Sequence, residues 1–481
     1  MCRCLIPLAL VPLWLVGSEQ PNVIIIISDD QGWADIGYNN PKVYTPNLDA
    51  LAATGATFGK HYVTPQCTPT RVALLTGRFP GRFGPQATQA NVTPAFPLGT
   101  PTLASMFKEA GYSTFMSGKW HLGTTLDHRP GFFGFDSSYG SLTGGIGMYD
   151  HRYRKGKYEQ SWFRDDAFIP GYENGTHATD LVAREAIRVI ELDHQEPFFL
   201  YIPFQAPHTP LDERGPFINQ PTQLDPDNAG RWRNEDEIKW FNDPEGIIQS
   251  EPDPEKRLYL AVVHHMDDAI GQIVAALERT GQRENTLILF ASDNGPQVNW
   301  PGNVYPDDLK LTDINQPLPV RGMKKDVWEG GIHVPAFANW PGRIQQKQVD
   351  EVLHIVDWFP TLANLIEYEP EEAIPFDGVD FSQLLFDEGT LPDRELYWTW
   401  YNPFYPYYDR FALRYDDWKI VYYGGGEPTS ISDWELYNLN DDPKEQMDEA
   451  YQFPDILADM HERYLRQRAK DRKTFYQKIN P

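Results

Sequence analysis

Two stretches of the chain are apolar at nearly every position and end alike. Residues 21–32, PNVIIIISDDQG, run from Val23 to Ile27 and break into Ser28, Asp29 and Asp30. Residues 285–296, NTLILFASDNGP, run from Leu287 to Ala291 and break into Ser292, Asp293, Asn294 and Gly295. A strand with one wet face alternates apolar and polar residues. A strand covered on both faces need not, so these two predict buried strands of a mainly parallel sheet. From about Pro254 to Thr280 the apolar residues Leu258, Ala261, Val262, Ile270, Ile273, Val274 and Leu277 predict a helix leading into the second strand, with Gly281 placed to end it. Residues 100–123 repeat the order, with a helix to Ala110, a stop at Gly111 and a strand leading into Gly118; residues 185–208 repeat it again. Helix alternating with strand is the α/β arrangement, here a large mixed sheet sandwiched by helices.

From about residue 388 the texture becomes aromatic, alternating and rich in turns, which predicts short antiparallel strands. A helical stretch, PDILADMHERYLRQRAKDRKTFYQ, follows them. The chain therefore divides into a large unit, 19–387, and a smaller α+β unit, 388–481. Residues 1–18 form a separate signal: Arg3, an apolar run from Leu5 to Val16, then Gly17 and Ser18. That run is too short to span a bilayer and predicts a signal peptide, hence an exported protein, periplasmic or secreted, with no membrane partner. Cys2 and Cys4 would leave with it. Cys67 is then the only cysteine, and no internal disulfide can form.

Composition adds two constraints. At 41% hydrophobic and 23% charged residues, the 481-residue chain is that of a globular enzyme. Its formal net charge of -26 excludes nucleic acid as a partner, since phosphate backbones need a basic face. A polyanionic substrate would need a locally basic pocket.

Ligand sites in open α/β sheets gather beyond the carboxyl ends of the strands. That rule puts Asp29, Asp30, Lys119, His121, His208, Asp293 and Asn294 along one rim. Asp29, Asp30, Asp293 and Asn294 offer only oxygen, the donor set of a hard cation such as Ca2+ or Mg2+. Asp-Asp and Asp-Asn-Gly also simply close strands as turns; their occurrence after two such similar strands favours the ion. Cys67 precedes a helix expected to begin near Pro69 or Thr70, where backbone N–H groups favour an anion and Arg71 adds a forked cation. A nucleophile, an anion cradle and a cation together suit attack on a charged tetrahedral centre. The plain alternative is that Cys67 is a small buried hydrophobe. Lys119 and His121, beside glycines, have a plain alternative as surface or supporting groups. His264 and His265 fall inside the predicted helix and are read as structural.

Cys67, Pro69 and Arg71 spell C-x-P-x-R, the pattern by which sulfatases mark a cysteine for oxidation to formylglycine. With PNVIIIISDDQGWADIG, GKWHLG, PFFLYIPFQAPHTP, TLILFASDNG, RGMKKDVWEGGIHVP and WELYNLNDDPKE in the family's order, the chain resembles a type I, arylsulfatase-like member of the alkaline phosphatase superfamily over most of its length. The resemblance implies an alkaline phosphatase-like fold and a sulfuric ester hydrolase, with 19–387 as the catalytic unit. It implies that Asp29, Asp30, Asp293 and Asn294 hold one Ca2+, in preference to Mg2+, with Cys67 as 3-oxoalanine (formylglycine) completing the shell. Arg71 would hold the aldehyde hydrate, Lys119 and His121 would contact hydrate and sulfate, and His208 and Lys324 would bind sulfate and assist the departing alkoxide. Lys324 is chosen over Lys325 because it stands five residues before Glu329. His333 stands where the family usually has arginine and is left out of the site. One hydrate oxygen would attack sulfur; deprotonation of the other by His121 would expel sulfate. A formylglycine-generating or anaerobic maturation enzyme would be a required partner.

Substrate choice is not implied by the family. The stretch HRYRKGKYEQSWFR, 151–164, is basic and aromatic in an acidic chain. It reads as a solvated loop or as a subsite in which Arg152, Arg154, Lys155 and Lys157 face anionic sugars. YWTWYNPFYPYY, 397–408, reads as core or as a sugar platform. The expected substrate is a sulfated oligo- or polysaccharide, such as ulvan, carrageenan or a glycosaminoglycan, and the expected source bacterial. The rivals are a phosphonate or phosphate monoester hydrolase and a non-catalytic binding protein. The hydrolytic reading requires that the four oxygen-bearing residues converge and that solvent reach position 67.

Overall fold

The computed structural model describes residues 20–89, 93–153, 159–169, 173, 175–209, 211, 243–252, 254–297, 320–387, 389–402 and 408–473. The expected signal peptide and the loop residues Arg154, Lys155 and Lys157 lie outside them.

Among the described residues ten strands form one sheet: β1 (Asn22–Ser28), β2 (Ala56–Tyr62), β3 (Ser113–Lys119), β4 (Ser137–Ser141), β7 (Trp162–Arg164), β8 (Ala167–Phe168), β9 (Phe198–Pro203), β10 (Thr286–Ser292), β11 (Ala336–Asn339) and β12 (Lys347–His354). A small pair, β5 (Arg152–Tyr153) and β6 (Glu159–Gln160), stands apart. The sheet order is β12-β2-β11-β10-β1-β9-β3-β4-β7-β8. The centre, from β10 through β1, β9 and β3 to β4, is parallel. β11 is antiparallel to both of its neighbours, β10 and β2, and β7 runs against β4. The fold is the expected large, mixed, mainly parallel sheet.

The unbroken apolar run of β1 is explained by what covers it. Val23, Ile25 and Ile27 pack on one side with residues of the helices Cys67–Thr76, Leu103–Glu109 and Trp358–Leu365. Ile24 and Ile26 pack on the other with residues of Pro46–Ala53, Ala178–Ile190 and Pro254–Arg279. All five side chains are fully buried, and both faces of a parallel sheet are dry, as the pattern required. The helix foreseen from about Pro254 runs Pro254–Arg279, with Gly281 at φ +71° beyond its end.

A second sheet, β13 (Glu395–Trp400), β14 (Asp409–Tyr415), β15 (Trp418–Gly424) and β16 (Glu435–Asn438), is antiparallel throughout. One face carries Tyr397, Phe411 and Ile420 against Leu457, Met460 and Tyr464 of the helix Pro454–Arg468. The other packs Trp398, Ala412, Val421 and Tyr437 against Tyr62, Val327 and Ile332. Tyr397, Trp398 and Trp400 are therefore core, which corrects the sugar-platform reading for them; residues 403–407 lie outside the described set. Among the described residues no helix is long and apolar enough to cross a membrane.

Candidate active site

β1 and β10 are in parallel register from Asn22 with Thr286 to Ser28 with Ser292. Two equal apolar runs thus end side by side, and the next residues, Asp29 and Asp293, leave the sheet together. The turn beyond is tied across: the Asp30 N–H donates to Asp293 Oδ1 at 3.2 Å, and Asn294 Nδ2 donates to Asp30 Oδ1 at 2.8 Å. Ser292 Oγ accepts from the Gln31 N–H at 3.0 Å and donates to the Asn294 carbonyl at 2.9 Å. Sequence reasoning passed over this serine, although both strand ends carry Ser before the acid.

The helix Cys67–Thr76 starts two residues earlier than expected, with Gln66 as its N-cap and Cys67 as its first residue. Proline is common at the first helical position, which made Pro69 look like the start. In the third position its missing N–H still costs nothing, because the first four helical N–H groups have no partner within the helix. Arg71 lies one turn in, fully buried. Its Nη1 donates to the Lys119 carbonyl at 2.7 Å and its Nη2 to Asp293 Oδ2 at 2.8 Å.

The remaining groups come from other strand ends. Lys119, the last residue of β3, pairs through Nζ with Asp29 Oδ2. His121, at φ +59°, brings Nδ1 to 3.3 Å from the Cys67 Sγ, and Thr68 Oγ1 holds the His121 carbonyl at 3.0 Å. Lys324 Nζ lies 2.6 and 2.8 Å from the two Asp30 oxygens, and His208 Nε2 lies 3.7 Å from Asp30 Oδ2. All ten core site residues foreseen in the sequence therefore converge. Arg152 sits on β5, half-buried, and pairs with Asp150 at 3.1 Å.

The oxygen set fits a cation. Asp29 Oδ1 and Asn294 Oδ1 are buried without a hydrogen-bond partner among the described residues, and buried polar atoms rarely go unpaired unless something else binds there. One donor atom each from Asp29, Cys67 and Asp293 lie within 4.8 Å of one another, as do atoms of Asp29, Asp30 and His208. Three carboxylates face Arg71, Lys119 and Lys324, so a divalent ion would leave the site net positive, which suits an anionic ester.

The field splits the titrating groups. Burial raises the Asp29 carboxyl, but the surrounding Lys119, His208, Arg71 and Lys324 outweigh it and hold it well below the usual range. Burial, with Asp29 beside it, pushes Asp293 up to about 7. Burial and the charges of Lys119 and Arg71 keep His121 neutral, and burial takes His208 down to about 4. Asp30 outweighs the burial of Lys324 and keeps it protonated. The Cys67 thiol is raised by burial, against Lys119 and Lys324, so an unmodified thiol here is a poor nucleophile.

Cys67 keeps 2% of its surface, His121 and His208 5% each and Lys324 3%, so the cluster is almost wholly buried and retains a small exposed edge, narrower than the open rim expected. His264 and His265 lie in the Pro254–Arg279 helix as expected. His333 stacks on Tyr62 at 5.2 Å and bonds the Gly59 carbonyl, away from Cys67.

Residues 21–368 match the family described as Sulfatase, and residues 323–470 match the C-terminal part of N-sulphoglucosamine sulphohydrolase. The chain is 34% identical to arylsulfatase J of Mus musculus over 375 residues, which is 76% of this chain and 55% of that protein. It is 31% identical to N-acetylgalactosamine-6-sulfatase of Mus musculus over 421 residues, 82% of this chain and 72% of that one. The crystal structure of Ps i-CgsB in complex with k-i-k-neocarrahexaose superposes with a TM-score of 0.76 at 26% identity, covering 95% of this chain and 94% of the other. With its strand-end carboxylates, its C-x-P-x-R helix start and this match over most of its length, the chain belongs to the sulfatase family.

Proposed function

We propose that the protein hydrolyses sulfate esters of a carbohydrate. The observation that carries this reading is the meeting of four oxygen-bearing side chains from two strand ends with Cys67, Arg71 and Lys324 in one buried cluster. Asp29, Asp30, Asp293 and Asn294 would hold Ca2+, whose fixed charge would draw electrons from the sulfate and acidify an oxygen at position 67. Matured to formylglycine, position 67 would supply that oxygen as a geminal diol.

The rest is the work of the chain's own side chains. Arg71, pinned at both ends of its guanidinium, keeps a cation beside position 67 without moving during the reaction. His121, neutral and with Nδ1 facing Sγ, is the base that takes a proton from the side chain at 67. Lys324, protonated, gives one to the departing alkoxide, and His208 binds the sulfate beside it. The catalytic unit is taken as 19–387 and the smaller unit as 388–481, with 1–18 directing export.

The sugar is proposed to be an algal polysaccharide of the carrageenan or ulvan kind, or a glycosaminoglycan. The bound neocarrahexaose of the similar structure and the name of the N-acetylgalactosamine-6-sulfatase relative support a carbohydrate. A bacterial source is proposed from the single cysteine beyond residue 18.

The test begins with peptide mass analysis of residue 67 after co-expression with a formylglycine-generating enzyme. Sulfate release from 4-nitrophenyl sulfate and from sulfated oligosaccharides in Ca2+ is then compared with phosphate release from 4-nitrophenyl phosphate. Formylglycine at 67 with preferential sulfate release is expected. Faster phosphate ester hydrolysis points to the phosphomonoesterase rival, and a matured protein that releases neither anion is the binding-protein outcome.

A further inference from the structure

A second cluster of buried charges lies outside the reacting groups, where the small sheet meets the segment carrying Lys324. Lys419, on β15, has no exposed side-chain surface, and its Nζ lies 2.9 Å from Glu329 Oε1 and 2.8 Å from Glu445 Oε1. Glu445, also fully buried and at φ +51°, accepts the Glu329 N–H on Oε2 at 2.7 Å, while its own carbonyl accepts from Arg321 Nη1 at 2.9 Å. Glu329 Oε2 accepts from the Tyr62 hydroxyl at 2.7 Å, and Arg414 donates to that same hydroxyl. Side chains from β2, β14, β15 and β16's following turn are thus gathered on Glu329. Ion pairs taken wholly out of water are costly to assemble, and removing one partner strands the others.

What this cluster grips is the site's own scaffold. Within the segment from Arg321 to Ile332, the Gly330 N–H bonds the Arg321 carbonyl at 2.6 Å, closing a loop around Lys324. The Lys324 N–H bonds the Pro296 carbonyl at 2.9 Å, two residues past Asn294, and the Lys325 N–H bonds the Pro65 carbonyl at 2.6 Å, two residues before Cys67. The Gly295 N–H bonds the Gly331 carbonyl at 3.0 Å and the Val63 N–H that of Ile332 at 2.8 Å. One loop therefore spans the cation-binding turn, the approach to Cys67 and the lysine between them. Its far side is fastened by Glu329.

We infer that Lys419, with Glu329 and Glu445, is a positioning device that lets the small sheet hold Lys324 at the cluster of Asp30 and Cys67. The inference rests on the proposed function for its catalytic consequence, but the mechanical coupling stands apart from it. Lys419 touches neither substrate nor reacting atoms; it acts through Glu329 and the loop.

Two measurements on the full chain test it. Hydrogen exchange of Lys419→Met is expected to speed the amides of 321–331 about tenfold or more while β1 and β10 keep wild-type protection; Lys419→Arg, which keeps the charge, is expected to recover much of it. Unchanged exchange in 321–331 overturns the coupling, whether or not the protein proves to be a sulfatase. Should Lys419→Met fail to fold, Glu445→Gln carries the same test, since it weakens the cluster without removing the lysine. The second measurement is kinetic, on matured protein with 4-nitrophenyl sulfate and with phenyl sulfate, whose leaving oxygen is more basic and needs the proton more. Lys419→Met is expected to lower kcat about tenfold more on phenyl sulfate than on 4-nitrophenyl sulfate, in the same sense as Lys324→Ala. Equal losses on both substrates overturn the link to Lys324. A wild-type protein inactive on both esters overturns the function reading, and the exchange result then decides the coupling alone.

Discussion

His61 shows how one buried ring can set a pH limit. Its Nε2 accepts the Trp358 indole N–H at 3.0 Å, so that nitrogen must be bare, and burial with His333 nearby holds the pKa down to about 3. In the unfolded chain the imidazole titrates near ~6.5. Between those values the unfolded state takes a proton that the native state refuses. The contribution is fully present above the unfolded pKa and is lost as pH falls through the window, by up to about 1.4 kcal/mol per pH unit. His61→Gln keeps an acceptor for Trp358 and removes the titration. The stability gap between wild type and variant is expected to shrink by about 2 kcal/mol from pH 7 to pH 5, read by urea unfolding. A gap that stays constant contradicts the neutral-ring reading. At Cys67, where the reaction is proposed to start, Cys67→Ala should fold normally, carry no formylglycine and lose at least about a thousandfold in kcat on 4-nitrophenyl sulfate. Cys67 and Arg71 were legible in the sequence because their pattern is local. The neutral state of His121 was not, because it depends first on burial and then on Lys119 and Arg71 arriving from elsewhere.

At the scale of elements, β1 and β10 were readable because a strand buried on both faces leaves an unbroken apolar run. Their being neighbours was not, since nothing in either run specifies the partner. The helix at Cys67 was placed two residues late because proline is tolerated throughout a first helical turn. Register carries a consequence at Gly295, directly after the paired turn. A Cβ there would lie 1.8 Å from the Gly330 carbonyl oxygen and 2.9 Å from the Gly331 Cα. Gly295→Ala is therefore expected to destabilise by about 2–3 kcal/mol, because backbone rather than a flexible side-chain tip must move. Chemical unfolding measures it, and a loss below about 0.5 kcal/mol would mean that the two loops are not in contact in solution.

For the whole molecule, residues near 29, 67, 119, 208, 293 and 324 share one cluster, so an ion held there ties together segments as much as 294 residues apart in sequence. Binding to the folded state alone stabilises it by mass action, by about 2.7 kcal/mol at a hundredfold excess over Kd. Ca2+ added to EDTA-treated protein is expected to raise the melting temperature. Asp293→Asn should remove most of that rise, whereas Arg152→Ala should leave it intact. A protein whose melting temperature ignores both Ca2+ and EDTA does not use the site for an ion.

The sequence by itself determined which residues are apolar without interruption, where strands must end in acid, and which cysteine stands before an arginine at a helix start. These are local patterns, and local patterns survive in one dimension. Only the tertiary structure decided that the two acidic turns pair, that Lys324 reaches Asp30, that Cys67 is almost wholly buried and that Lys419 stands behind the loop. Each of those is a contact between residues far apart in the chain, created by the closing of a dry sheet between two layers of helices, and no periodicity along the chain encodes it.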